Sequence, residues 1–229
     1  MRKSPAVFVL LFIFIASCSS GRHTARQRPV EQDLPVGPID AVASWYGSDF
    51  HGRPTASGEP FDMHALSCAH KQYPFGTRLK VVHKTNSRAV ECVVNDRGPF
   101  IDGRDIDLSY GAAKEIGLIG PGISRVSLEV QGRDPSYIKP VRIQSQERRG
   151  SPFAIQIGSF TDSANAERLR AGLGLGYPDS YIQEVQVSGA TYYRVRVGNF
   201  AQFSRAIEVA EQLGQEGYPT LIVKADLKI

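Results

Sequence analysis

The sequence predicts two small domains, an all-β barrel-like domain over about 41–131 followed by a small α+β domain of βαββαβ order over 151–229. Three observations carry this. Between about 40 and 131, apolar residues such as Leu79, Val81, Val90, Val93 and Val94 fall in short runs broken by Gly and Pro, the pattern of short strands in a barrel-like domain. After 150 a strand, a Gly turn and an amphipathic helix occur twice in succession. The stretch 132–150 between them holds two prolines, several charges and little apolar periodicity, and reads as an interdomain linker.

In the tail, Ala154–Phe160 leads into a helical stretch from Ser163 to Leu173. Arg194–Phe200 leads into a second, from Ser204 to Leu213. Each helix opens with polar residues and continues with apolar positions at helical spacing. Two more strands are expected at Tyr181–Val187 and Thr220–Lys224. That order implies one sheet with both helices on one face. Aligning the repeats sets Gln156 opposite Arg196. Both, with Arg194, are expected on the sheet face away from the helices, with Tyr193 adding an aromatic surface. By composition alone this reads as an ordinary solvated face rather than a binding one, while Phe160 and Phe200 are expected in the core.

The N-terminus is of a different kind. Arg2 and Lys3 precede a continuous apolar run from Val7 to Ala16. Residues 1–17 therefore read as a secretory signal peptide, too short to span a bilayer comfortably; a retained membrane anchor is the alternative. Ile15-Ala16-Ser17-Cys18 resembles the lipobox of bacterial lipoproteins. The resemblance implies cleavage before Cys18 and its acylation, and several acyl chains make a stable anchor. Ser19 fits outer-membrane sorting in a Gram-negative cell. Residues 18–40 are polar and read as a tether.

Composition is that of an ordinary globular protein, 41% hydrophobic and 22% charged. Losing Arg2 and Lys3 with the leader lowers the formal charge from +4 to +2. That is too weak to argue for nucleic acid, although a small basic excess suits an anionic wall polymer. With Cys18 acylated, Cys68 and Cys92 remain as a pair in an exported protein, where disulfides persist. A bridge between them would draw His70, two residues beyond Cys68, towards Asp96, four beyond Cys92. His51 and His64 lack the Cys/His spacing of a zinc site, and neither a metal nor an organic cofactor is implied.

Three segments carry the chemistry: 43–61 (ASWYGSDFHGRPTASGEPF), 66–79 (LSCAHKQYPFGTRL) and 90–108 (VECVVNDRGPFIDGRDIDL). They resemble the double-psi β-barrel of the rare lipoprotein A family, the septal-ring lytic transglycosylases. The matching motifs are A-S-W-Y-G, H-G-R-x-T-A-x-G-E, A-H-K-x-x-P-F-G-T and V-N-D-R-G-P-F-x-x-G-R-x-I-D-L-S. The tail similarly resembles the SPOR domain, a binder of septal peptidoglycan. The resemblance implies non-hydrolytic cleavage between N-acetylmuramic acid and N-acetylglucosamine, giving 1,6-anhydro ends on strands denuded of stem peptides. It carries functional roles onto Glu59, His70 and Asp96. This sequence has Ser57, Cys68 and Tyr73 where the family usually has Asn, Ala and Leu; none of the three replaces a carboxylate.

The chemistry needs few groups. One carboxyl protonates the leaving oxygen of an oxocarbenium-like transition state. The same carboxyl then accepts the proton of the sugar's own C6 hydroxyl, which closes the ring. Asp96 is the candidate acid–base and Glu59 the charged stabiliser, with their roles exchangeable. His70 orients a carboxylate or binds substrate. Trp45, Tyr46 and Arg97 are candidate substrate contacts, although Trp45 and Tyr46 equally suit a core. Asp105 and Asp107, beside Arg104, read as a structural charge cluster. By composition alone Asp96, ahead of Arg97-Gly98-Pro99, also suits a turn cap, and Glu59 a solvated loop. A non-catalytic septal wall-binding lipoprotein is the second reading. Expansins share a similar barrel and loosen polysaccharide without cutting it.

Overall fold

The computed structural model describes residues 34–35, 37–144 and 152–225. The signal peptide, Cys18 and nearly all of the tether lie outside the described residues.

The first domain is a closed barrel. Its strands are β1 (Ile39–Tyr46), β2 (Ser67–His70), β3 (Thr77–His83), β4 (Ala89–Asp96), β5 (Ile106–Ser109) and β6 (Ser124–Arg133), in the spatial order β1-β5-β2-β4-β3-β6. β6 closes the ring on β1, so no edge is left open. β1 runs parallel to β5 and β2 parallel to β4, while the other neighbours are antiparallel. Alternation explains the packing. Leu79 and Val81 on β3, Ile106 and Leu108 on β5, and Val126 and Leu128 on β6 point inward and are buried. The short helix α1 (Tyr110–Glu115) follows β5. Ser109 caps it by accepting a hydrogen bond from the Ala112 N–H at 3.2 Å.

Cys68 and Cys92 are joined by a disulfide with 5.9 Å between their Cα atoms, tying β2 to β4. The register beside it is not uniform: Cys68 pairs with Val94, but Ala69 pairs with Asp96. This bulge places two residues of β4 opposite one of β2.

The second domain comprises β8 (Phe153–Phe160), α2 (Ser163–Gly174), β9 (Ser180–Val187), β10 (Ala190–Phe200), α3 (Phe203–Gln215) and β11 (Thr220–Lys224). Asp162 caps α2 by accepting from the Ala164 N–H at 2.7 Å. The sheet order is β7-β11-β8-β10-β9, where β7 (Val141–Ile143) pairs parallel to β11. Ile155, Ile157, Val195 and Val197 pack in one core cluster with Leu169 and Leu173 of α2 and Ala206, Ala210 and Leu213 of α3.

The stretch 132–150, expected to be a linker, is ordered through 144. β6 continues to Arg133, Pro135–Tyr137 form a 3-10 turn, and β7 joins the second sheet. Some of its polar groups bond to backbone elsewhere in the chain. Arg133 Nε donates to the Phe75 carbonyl at 2.9 Å and its Nη2 to the Gln215 carbonyl at 2.5 Å. The Lys139 N–H donates to the Gly214 carbonyl at 3.0 Å.

The two domains share a core. The Phe75 ring meets Tyr218 edge-on with centroids 4.9 Å apart, and the Phe75 N–H donates to the Glu216 carbonyl at 2.9 Å. Arg97 locks this seam. Its Nε donates to the Tyr218 hydroxyl at 2.6 Å and its Nη1 to the Tyr73 carbonyl at 3.0 Å. Its guanidinium lies 3.8 Å from the centre of the Phe75 ring.

Two predictions follow from these ties. Replacing Cys68 and Cys92 together by Ala removes the restraint on a loop of 24 residues' separation. On the loop-entropy account this costs about 3 kcal/mol, a fall in Tm of roughly 6–12 °C for a chain of this size, measurable by scanning calorimetry. Arg97→Ala strands the Tyr218 hydroxyl and the Tyr73 carbonyl, at about 1–3 kcal/mol for each buried group. The wild type is expected to melt in one calorimetric transition and this variant in two, because the seam and not either core is weakened.

Candidate active site

β4 ends at Asp96, and its neighbour β2 sets what surrounds that acid. Ala69 pairs with Asp96 on one side and with Asp107 of β5 on the other. The two acids thus stand two strands apart, about 10 Å between backbones at normal strand spacing. Both line a groove of about 540 Å³, open on one side. Trp45 and Tyr46 at the end of β1 and Phe50 in the 3-10 turn after it line the groove, as do Phe100 and Ile101, 42% and 57% exposed. Gly98, at φ 133°, turns the chain between Asp96 and Phe100, a backbone conformation closed to most side chains.

Asp96 is held asymmetrically. Its Oδ1 accepts the Ala56 N–H at 2.9 Å and the Arg97 N–H at 2.8 Å. Oδ2 is left as the oxygen that can carry a proton. Burial pushes its carboxyl above the ordinary range, opposed first by the two backbone N–H groups and then by Arg168 and Arg97. Asp107 is also raised by burial, against the hydroxyl of Ser44, which donates to its Oδ1, and Arg104, whose Nη2 lies 3.2 Å from its Oδ2. Asp105 takes no part in the groove and accepts the Val42 N–H at 2.8 Å. Asp107, expected to be structural, is therefore the second carboxylate of the groove. The sequence offered no signal that separates the two acids: Asp105 precedes β5, whereas Asp107 lies within it and lines the groove.

Glu59 is not beside Asp96. Its Oε2 accepts the Asn95 amide at 3.3 Å and the Tyr137 hydroxyl at 3.0 Å. Glu59 meets β4 at Asn95, the extra residue of the bulge, and is not among the residues that line the groove with Asp96. The anticipated approach of His70 to Asp96 is also not made. The bulge after Cys68 brings Ala69, not His70, opposite Asp96. The His70 ring instead stacks on Tyr73, with centroids 4.0 Å apart. Its Nδ1 accepts the N–H groups of Gln72 at 3.2 Å and Tyr73 at 3.1 Å. Burial, with Arg97 adding to it, lowers His70 to about 4, so the ring is neutral near pH 7.

Trp45 packs edge-on to Tyr110 at 5.8 Å and keeps a groove-facing surface. Tyr46 is stacked on Phe61 at 4.3 Å, and burial beside Asp96 and Asp107 pushes its phenol well above the ordinary value. Arg97 borders the groove but is 5% exposed, with its guanidinium committed to the domain seam. It holds the fold rather than presenting a charge to substrate.

In the tail, Gln156 does pair with Arg196, and both lie on the face away from the helices, with Arg194. Gln156 and Arg194 are half-buried, but Arg196 is only 3% exposed and is not part of an open surface. Tyr193 falls on the helix-packed face, because it shares strand parity with Val195 and Val197 and packs against their cluster. Among the described residues no group of three or more His, Cys, Asp or Glu is placed to hold a metal. Phe100, Ile101 and Arg168, all in the groove, were not anticipated. The two apolar residues beside Gly98-Pro99 were a readable signal for exposure, whereas Arg168 comes from the other domain and had none.

A family described as lytic transglycolase matches residues 39–128, and the SPOR domain family matches residues 150–224. The endolytic peptidoglycan transglycosylase RlpA of Campylobacter jejuni is 41% identical over 146 residues, covering 58% of this chain and 53% of its own length. The protein of the same name from Pseudomonas aeruginosa PAO1 is 43% identical, covering 79% of this chain and 69% of its own. The chain therefore spans about half the length of the first relative and about two thirds of the second. The crystal structure of the Pseudomonas aeruginosa RlpA SPOR domain aligns with 32% of this chain and 100% of its own at 21% identity and a TM-score of 0.28. The chain belongs to the RlpA family, with a double-psi β-barrel followed by a SPOR domain.

Proposed function

We propose that this chain is a peptidoglycan lytic transglycosylase. It cleaves the bond between N-acetylmuramic acid and N-acetylglucosamine, prefers strands stripped of stem peptides and leaves 1,6-anhydro ends. The SPOR domain holds it at the division septum, and acylated Cys18 anchors it in the outer membrane, facing the periplasm.

The observation that carries the reading is Asp96, a buried carboxyl with one oxygen pinned by two backbone N–H groups and the other available to an open groove lined by Trp45, Phe100 and Ile101. Its raised pKa keeps a proton on Oδ2 above the pH at which an ordinary aspartate loses it. That proton goes to the leaving glycosidic oxygen as the C1–O bond breaks. The emptied Oδ2 then accepts the proton of the muramic C6 hydroxyl, whose oxygen forms the new bond to C1. Asp107, held by Ser44 and Arg104, supplies negative charge to the oxocarbenium-like state. Glu59 acts through Asn95 and positions the end of β4. His70, neutral and stacked, supports the turn after β2. Trp45, Phe100 and Ile101 offer apolar surface to sugar rings, and Gln156 and Arg194 offer polar contacts on the tail's sheet face.

Incubating the protein with denuded and with intact sacculi, and analysing products by mass spectrometry, tests the reading. Anhydro ends are expected, with more from denuded material. Asp96→Asn is expected to cut their formation by about 10²–10⁴-fold, and Glu59→Gln by much less. Binding with no anhydro ends from either substrate would leave a non-catalytic wall-binding protein. Turnover is expected to fall as pH rises through the raised pKa of Asp96, because the proton donor is then lost.

Stability should move the same way. The folded state holds this proton more tightly than the unfolded chain, so its contribution is full below the ordinary carboxylate range. It is lost as pH rises through the raised value. Asp96→Asn is therefore expected to match or exceed the wild-type Tm at pH 7, with the difference closing towards pH 4.

A further inference from the structure

One wall of the groove does not belong to the barrel. Helix α2 of the SPOR domain lies against it, and Gly172 permits the approach. A Cβ at that position would stand 2.8 Å from both Cβ and Cγ of Arg97. One turn earlier on the same helical face is Arg168, which lines the groove together with Asp96. Arg168 is half-buried. It donates from Nη2 to the Asn165 side-chain oxygen, and its guanidinium carbon lies 4.9 Å from the centre of the Phe50 ring. These contacts aim the side chain without neutralising it.

The other cations of the groove are already matched. Arg104 pairs with Asp107 at 3.2 Å, and Arg97 is committed to Tyr218 and Tyr73. Among the described residues no carboxylate comes within ion-pair distance of Arg168. A half-desolvated guanidinium at the edge of a sugar groove calls for an anion, and it suits a carboxylate through two parallel N–H donors.

The glycan itself carries one such group. The lactyl carboxyl of N-acetylmuramic acid is tied up as an amide while a stem peptide is attached, and is a free carboxylate once the peptide has been removed. We propose that Arg168 binds this lactyl carboxylate, so that the SPOR domain supplies the residue by which the barrel groove distinguishes denuded from peptide-bearing strands. The assignment deepens the transglycosylase reading and rests on it for the substrate. Arg168 forms and breaks no bond in it and is a specificity-determining residue.

The test uses short denuded glycans and the same glycans with their lactyl carboxylates converted to primary amides by carbodiimide and ammonia. Trp45 is the only tryptophan of the chain and lines the groove. Its fluorescence therefore reports groove occupancy separately from binding elsewhere on the SPOR domain. Wild type is expected to bind the free carboxylate about 10–100-fold more tightly than the amide, as one charge-assisted contact allows. Arg168→Gln should lose that ratio by weakening only the carboxylate form, and Arg168→Lys should keep part of it. In turnover, the loss should fall on KM for denuded strands, and because Arg168 also holds the Asp96 carboxyl down, Arg168→Gln should move the pH profile of kcat upward. Arg168→Gln retaining the wild-type ratio, or losing both forms equally, overturns the proposal. Wild type that makes no anhydro ends sinks the transglycosylase reading instead, and the fluorescence ratio still decides Arg168.

Discussion

The junction of Asp96 and Arg97 is the constraint around which this molecule is arranged. Two consecutive residues at the end of β4 look in different directions and serve different domains. The Arg97 N–H fixes Oδ1 of Asp96, while its guanidinium sits between Phe75 and Tyr218 and closes the domain seam. A buried cation without a carboxylate partner is tolerated only when its donors and its charge are otherwise met. Here the Tyr73 carbonyl, the Tyr218 hydroxyl and an aromatic face do that. Whatever loosens the seam also moves the backbone donor that sets the proton position on Asp96.

The same arrangement accounts for the electrostatics. Asp96 lies under both domains: α2 of the tail lies over a small recess that Asp96 shares with Ala56, Leu169 and Arg168. Burial raises its pKa, and the two arginines moderate the rise. Desolvation supplied by the barrel alone would be smaller, because one side of the acid would face water. The SPOR domain thus changes the dielectric around the barrel's acid.

Much of the fold was readable because it rests on local periodicity. The tail strands at Tyr181–Val187 and Thr220–Lys224 and both helices lie within a residue or two of where alternation and polar starts put them. Residues 132–144 of the expected linker are ordered, which polarity alone does not reveal. Arg133 and Lys139 bond to backbone of the other domain, and no composition rule can see a partner 82 residues away. The site was legible in part for the same reason. Asp96 follows from its motif, but its neighbours depend on a one-residue bulge between β2 and β4, which exchanges His70 for Ala69. A one-residue bulge leaves no period in the sequence by which to read it, and every partner beyond it is shifted. Tyr193 and Arg196 failed as surface residues for a related reason: a face can be assigned from parity, but whether it stays open cannot.

The character of the groove bears on why ring closure, rather than hydrolysis, suits this architecture. A hydrolase needs a second group free to activate water or attack carbon. The second acid here, Asp107, has one oxygen taken by Ser44 and the other by Arg104. That leaves Oδ2 of Asp96 as the oxygen able first to give a proton and then to take one. With a single shuttling oxygen at the groove, the nucleophile is best supplied by the substrate, and the C6 hydroxyl of the same sugar is already covalently held near C1. Under the transglycosylase reading, the domain docking that dries Asp96 and the pairing that occupies Asp107 push the reaction towards the anhydro product together.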